Sequence, residues 1–501
     1  MNQLKLGALI SYLGLFVNVL IGLIYTPWMI NVIGKSDYGL YTLAMSIIGL
    51  LAFDFGLGNA TTKFVSQYLA EKRQDKVDNL LCFIYKLYLI VDVLIAVILI
   101  SIFIFLPNIY TGLNNEEQGR FSIVFLISAL FCVLSFPFIP LNGILTSYEK
   151  FIQLKLCDLF HKIFIVVTMT CCLWLGYGLY ALVIVNSIAG ILAIIAKLYV
   201  VKHDTPVRIK WSFWDKQLLK QIGMFVLWLS IAALSQRLIF NIAPSILGIL
   251  SDSGSIAILG IVITLESYVF LFANAINGMF LPRVSKLLNS EDDKAILDLM
   301  IKVGRLQIYI IGFIVICLTT LGKQFISVWI GPGYESVYPC LLLVVIPSFI
   351  HLPQEIGHTC VIAANKVKKQ AVVFVIMAIA NVTLSIPLTI CFGVIGMCVS
   401  IFAAYVIRTI GLDVIFYKDL NIDIWRFFKE SYAKMVLPLL LACILLGIIN
   451  WIIPGFGWFS LIIKAGIGVM LYALLMYIMC MNRYEKDLII APVMNKIRKL
   501  W

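Results

Sequence analysis

Leu94-Ile95-Ala96-Val97-Ile98-Leu99-Ile100-Ser101-Ile102-Phe103-Ile104-Phe105 carries one hydroxyl and no charge. It is part of a longer apolar run, and such runs recur from one end of the chain to the other. Roughly 20 apolar residues are enough to cross a bilayer as a helix. In hydrocarbon each backbone N–H and C=O needs a partner within the protein, which leaves helices or closed barrels. Barrel strands alternate apolar and polar residues, whereas this run and Val372–Ile379 are nearly continuous. The composition agrees: 62% of the 501 residues are hydrophobic and 13% charged, about half the charged share of a soluble domain. The fold class is therefore all-α, integral membrane and polytopic.

Hydropathy and length place about 14 transmembrane helices at 6–33, 38–68, 79–106, 120–146, 153–175, 178–200, 218–249, 255–286, 297–321, 337–363, 370–391, 394–417, 433–453 and 459–481. The distribution of Lys and Arg tests this map. With a cytoplasmic N-terminus, about 31 of the 38 fall in inside segments, Arg408 among them, against Lys35, Arg120 and Lys323 outside and four within helices. Both termini are then cytoplasmic. The same bias accounts for the net charge of +12 through loops beside anionic lipid, so nucleic-acid binding is not needed to explain it. Twelve cysteines and four histidines lie scattered, without metal-ligand spacing; no metal and no cofactor is expected.

The chain repeats itself. Lys63-Phe64-Val65-Ser66 parallels Pro282-Arg283-Val284-Ser285 at an offset of 219, and Glu149-Lys150 parallels Asn365-Lys366 at 216. Helices one to six thus match seven to twelve in order and orientation. That reads as two parallel six-helix repeats about a central cavity: an N-terminal lobe over 1–200 and a C-terminal lobe over 218–418. Two extra helices follow within 430–482, then a cytoplasmic tail, 483–501.

Several short motifs resemble a known family. Asp54-Phe55-Gly56-Leu57-Gly58-Asn59-Ala60 closes helix two, and Asn277-Gly278-Met279-Phe280-Leu281-Pro282 closes helix eight. Leu321-Gly322-Lys323-Gln324-Phe325 leads to Val328-Trp329-Ile330-Gly331, and Asn381-Val382-Thr383-Leu384-Ser385-Ile386 lies in helix eleven. In order and spacing these resemble the Wzx-type polysaccharide flippases of the multidrug/oligosaccharidyl-lipid/polysaccharide exporter superfamily. The resemblance implies a bacterial plasma-membrane protein that is not an enzyme. It implies transfer of an undecaprenyl-diphosphate-linked oligosaccharide, for O-antigen, capsule or exopolysaccharide, between leaflets by alternating access. Its implied partners are that lipid-linked glycan, the bilayer, and polysaccharide polymerase and chain-length machinery. Many relatives carry an acidic residue midway along helix seven; Ser235-Gln236-Arg237 stands there in this chain, which withholds a relative's coupling-ion site. Two rival readings are an ion-coupled multidrug exporter of the same superfamily and a membrane-embedded polymerase or glycosyltransferase. The second fits less well, since the longest outer loop, Pro107–Gln118, is about a dozen residues and its Glu116-Glu117 reads as solvated.

A flippase breaks no bond; it must pass a diphosphate and a polar glycan through a low-dielectric layer. Ionisable residues at membrane depth are therefore the candidates. Arg237, about 18 Å from the outer end of its helix, would bind diphosphate, with Glu266 at similar depth as its partner; a structural ion pair is the competing reading. Lys86 and Arg305, 219 residues apart, would capture the headgroup at the cytoplasmic mouth, unless they snorkel to the interface. Asp54 and Asp92 are candidates for coupling to a proton or sodium gradient, as are Glu355 and His358, which share a helix face. Lys464 is expected to snorkel. Pro137, Pro140, Pro244, Pro347 and Pro353 mark places where helices should bend.

Overall fold

The apolar runs form helices, and the polar residues and prolines between them set where each one starts and stops. The computed structural model describes residues 19–53, 57–208, 216–289, 293–364, 366–455 and 457–487. The order begins with α1 (Val19–Ile33), α2 (Lys35–Leu51), α3 (Leu57–Ala70), α4 (Gln74–Ile109), α5 (Asn115–Ser135), α6 (Pro140–Ser147), α7 (Phe151–Trp174) and α8 (Leu179–Asp204). It continues with α9 (Lys216–Asn241), α10 (Ala243–Leu250), α11 (Ser253–Asn289), α12 (Asp293–Trp329), α13 (Val337–His351) and α14 (Glu355–Ala363). Last come α15 (Val367–Asp419), α16 (Ile424–Phe428), α17 (Lys434–Ile452) and α18 (Trp458–Met479). No strand occurs among the described residues. Ten of these helices or broken helices are long and apolar enough to cross a membrane, or up to twelve if each of two bent pairs is one span. The 53-residue α15 is itself two helices meeting at Gly393, at φ +57°, which separates the spans expected at 370–391 and 394–417.

The breaks have local causes. α1 and α2 meet at 117° across Gly34, whose φ of +88° only glycine adopts at little cost. The helix expected over 38–68 is two, since α2 ends at Leu51 and α3 begins at Leu57. Proline lacks the N–H that continues the ladder and its ring clashes with the preceding turn. Accordingly Pro137 sits in a 3-10 turn, Phe136–Phe138, between α5 and α6, and Pro353 in another, Leu352–Gln354, between α13 and α14. Pro244 opens α10, which is bent 41° from α9. The element order follows the sequence repeat. The two 3-10 turns begin 216 residues apart, α7 and α15 begin 216 apart, and α4 and α12 begin 219 apart. α16, α17 and α18 are left over as the C-terminal addition.

By chain contacts the molecule divides into one unit drawn from Met1–Ile263 with Val367–Ala404 and a second from Thr264–Lys366 with Tyr405–Trp501. In the first, α2 packs on α5, α8 and α9, and α4 on α3 and α5. A Cβ on Gly39 would stand 2.0 Å from the Ser253 carbonyl oxygen, and one on Gly260 2.6 Å from Thr42 Oγ1. These glycines permit the close backbone approach on which helix packing in lipid relies. Asn114 and Glu117 form a capping box at the start of α5. The Glu117 carboxylate also accepts from Ser36 at 2.6 Å and from Ser253. Glu117 is therefore buried rather than solvated, because it joins the ends of three helices. In the second unit α12 is the central helix, packed against α13, α14, α17 and α18. Ile308, Ile316, Leu321, Met435, Leu446 and Met476 form its core, and the Tyr472 hydroxyl donates to the Tyr309 carbonyl at 2.8 Å.

Candidate functional site

Arg237 lies on α9, four residues before the end of that helix at Asn241. Its Nη1 donates to the Gly49 carbonyl oxygen at 2.6 Å, in the last turn of α2, where the helix dipole favours a cation. Its guanidinium carbon stands 5.4 Å from the centroid of the Phe53 ring, within cation–π range. One edge of the guanidinium is thus fixed by a carbonyl and a ring, yet the side chain is exposed. An exposed guanidinium at this depth is tolerable where it meets water, not hydrocarbon.

The second unit holds a buried polar group built on α11, α13, α14 and the second half of α15. Glu266, 5% exposed, accepts from Ser348 at 3.4 Å. Arg408, 3% exposed, lies within electrostatic range of Glu266 and of Glu355. Its guanidinium carbon is 5.8 Å from the centroid of Tyr405, one helical turn earlier. His351 also stacks on that ring, at 4.8 Å and 15°. His351 Nδ1 is 3.1 Å from the Pro347 carbonyl oxygen; an oxygen acceptor there requires the Nδ1–H tautomer. Nε2 is then a buried lone pair with no hydrogen-bond partner among the described residues. Glu355 and His358 come together as their three-residue spacing predicts, with Oε1 2.8 Å from Nδ1. Two carboxylates and one guanidinium thus share this buried region, with His358 in contact with one of the carboxylates.

Glu266 finds these neighbours within its own unit, while Arg237 is set by Gly49 and Phe53. Lys86 is half-buried on α4. Asp92, on the same helix, is buried, with an Oδ1 that has no hydrogen-bond partner among the described residues. Asp54 lies outside the described residues. Arg305 departs from Lys86 in its environment: it is 4% exposed, and its guanidinium is occupied by the protein itself. Nε and Nη2 donate to Glu485, the latter at 2.9 Å, Nη1 to the Glu430 carbonyl at 3.0 Å, and Nη2 also to the Cys480 carbonyl at 2.8 Å. Burial works to raise the Glu485 pKa, but the donors from Arg305 and Asn482 outweigh it and hold the carboxyl below its ordinary value. Lys464 does not snorkel. It is 3% exposed and donates to Asn450 Oδ1 at 2.9 Å and Gln324 Oε1 at 3.0 Å, because those amides offer oxygens inside the bundle.

Sequence reading missed Arg408, His351 and Tyr405. Counting Lys and Arg by segment puts Arg408 on the cytoplasmic side, although it lies within the apolar run 394–417, well before α15 ends at Asp419. That position within the run was the available signal. His351 and Tyr405 gave none, since a stacked pair from two helices leaves no local pattern.

Residues 4–288 match the model of a family described as "Polysaccharide biosynthesis protein". Among curated protein sequences nothing matches. The fold is similar to the lipid II flippase MurJ in an inward closed conformation, with 17% identity, 97% of this chain and 98% of that chain covered, and a TM-score of 0.70. It is also similar to an inward-facing multidrug resistance MATE family transporter of the MOP superfamily, with 14% identity, 83% and 99% covered, and a TM-score of 0.63. A MOP superfamily transporter from Pyrococcus furiosus, described as having a binding pocket of reverse polarity, matches with 14% identity, 86% and 96% covered, and a TM-score of 0.59.

Proposed function

Because the chain belongs to the polysaccharide biosynthesis protein family, we propose that it is a flippase for an undecaprenyl-diphosphate-linked oligosaccharide, the repeat unit of an O-antigen, capsule or exopolysaccharide. It carries this lipid from the inner to the outer leaflet of a bacterial plasma membrane, with both termini cytoplasmic. The lobes 1–200 and 218–418 alternate access to a cavity between them, and a polymerase and chain-length machinery consume the product. The observation that carries the reading is Arg237. It is exposed, partway along a membrane helix, and aimed by the Gly49 carbonyl and the Phe53 ring. A guanidinium in that setting suits a diphosphate, whose oxygens it can meet in pairs. Lys86 assists capture on entry. The group of Glu266, Glu355, His358 and Arg408 takes up a proton or a sodium ion as the cycle turns; Asp92 is a further carboxyl available for coupling.

The test is reconstitution in liposomes with a fluorescent undecaprenyl-diphosphate oligosaccharide, scored for accessibility on both faces. Wild type should move the lipid, Arg237→Lys should move it more slowly, and Arg237→Ala should lose at least 90% of the rate (about 1.4 kcal/mol for each tenfold). Wild-type movement by Arg237→Ala would remove the site. The buried carboxylates also suit the second reading, an ion-coupled drug exporter. Dye efflux from the same vesicles without lipid movement would establish that reading instead.

A further inference from the structure

Far from Glu485 along α12, the last turns of that helix, the end of α17 and the start of α18 line an open cavity of about 440 Å³. Lys464 and the exposed Lys323 both line it. Lys464 is 3% exposed, and among the described residues its ammonium is held by neutral oxygens: Asn450 Oδ1 at 2.9 Å, Gln324 Oε1 at 3.0 Å and the Gly455 carbonyl at 3.4 Å. The amides cannot turn away. Asn450 Nδ2 donates to the Thr320 carbonyl at 3.0 Å, and Gln324 Nε2 to the Gly455 carbonyl at 3.2 Å. Neither lysine has an ion-pair partner among the described residues. A buried ammonium without a counter-charge costs several kcal/mol, and dipoles alone leave its net charge uncancelled. The cavity thus carries two positive charges and no acid.

Its depth indicates where the anion comes from. Trp451, 86% exposed, lines the same cavity, and Trp458, 50% exposed, begins α18 beside it. Tryptophan collects at the level of lipid headgroups. We infer that this cavity binds a lipid-borne phosphate, its oxygens balancing Lys464 and contacting Lys323, with the acyl or prenyl chain leaving along α17 and α18. Those two helices present Leu440, Ile444, Ile448, Ile462 and Met470 to the exterior, an apolar surface suited to such a chain.

The experiment titrates the purified full chain in detergent with phosphatidylglycerol, undecaprenyl phosphate or inorganic phosphate, with phosphatidylcholine as reference, and reads the shift in Tm. It is repeated on Lys464→Met and on Lys323→Gln, the latter an exposed substitution that leaves the fold intact. A shift from an anionic lipid, at least halved in Lys323→Gln and lost in Lys464→Met, supports the site. Which of the two lipids acts at the lower concentration identifies the source. A shift from inorganic phosphate alone overturns the lipid assignment. Equal shifts in wild type and Lys323→Gln, or no preference over phosphatidylcholine, overturn the site even should Lys464→Met fail to fold.

Discussion

Glu485→Gln tests whether Arg305 serves the architecture or the substrate. Four donors converge on the Glu485 carboxylate: Arg305 Nε and Nη2, the Tyr309 hydroxyl at 2.9 Å and the Asn482 backbone N–H at 3.0 Å. Glutamine keeps one acceptor oxygen and turns an NH₂ group toward donors. The side chains of the pair are 4% and 2% exposed, so water cannot replace what is lost. Removing one partner of such a pair costs about 3–5 kcal/mol, whereas replacing both with apolar groups of similar volume is often neutral. The expected order of stability in SDS-driven unfolding from mixed micelles is therefore wild type, close to Arg305→Met/Glu485→Met, then Glu485→Gln about 3–5 kcal/mol below. Lys86→Met, at the matching place in the first repeat, should change stability by less than about 1 kcal/mol. A Glu485→Gln protein within about 0.5 kcal/mol of wild type would refute the reasoning and return Arg305 to headgroup capture.

Other outcomes follow from the same geometry. Glu485 has a folded-state pKa below its unfolded value, so its stabilisation is present above the ordinary Glu range and is lost as pH falls through the depressed value. The wild-type unfolding midpoint should hold between about pH 7 and 5 and drop below about pH 4, a drop that is smaller in Glu485→Gln. Arg408→Met leaves Glu266 and Glu355 without their guanidinium and should cost about 3–5 kcal/mol, with Arg408→Lys retaining part of that; equal stability of all three proteins would show that the group is not held by charge. Gly396→Ala would place a Cβ 1.9 Å from the Leu388 carbonyl oxygen, a backbone atom that cannot yield, and should lower stability by at least about 1–3 kcal/mol. Recovery of the folded protein by size exclusion measures this, and unchanged yield with an unchanged midpoint would count against the kink at Gly393.

The sequence is most informative where a property of one residue decides the outcome. Runs such as Leu94–Phe105 can only be helices in lipid, and Pro137, Pro244 and Pro353 interrupt helices by their own covalent structure. It is least informative where the partner lies far along the chain. Lys464 shows its depth in the sequence but not the oxygens of Gln324 and Asn450, 140 and 14 residues away. Arg305 and Lys86 look equivalent because the repeat aligns them. They differ because the C-terminal addition brings Glu485 to α12, and that addition has no counterpart in the first repeat. Glu355 and His358 were legible because three residues on a helix is a local distance.

The 3-10 turns at Pro137 and Pro353 have a mechanical consequence. Bending an unbroken helix in hydrocarbon sacrifices a main-chain hydrogen bond that no water can replace. At these turns Pro137 and Pro353 supply no N–H, so one such bond is already missing and flexure there removes less. Each repeat carries this pre-cut joint at the same register, 216 residues apart. The chain thus has a matched pair of elbows at which shape can change with a smaller loss of main-chain bonding than elsewhere along its helices.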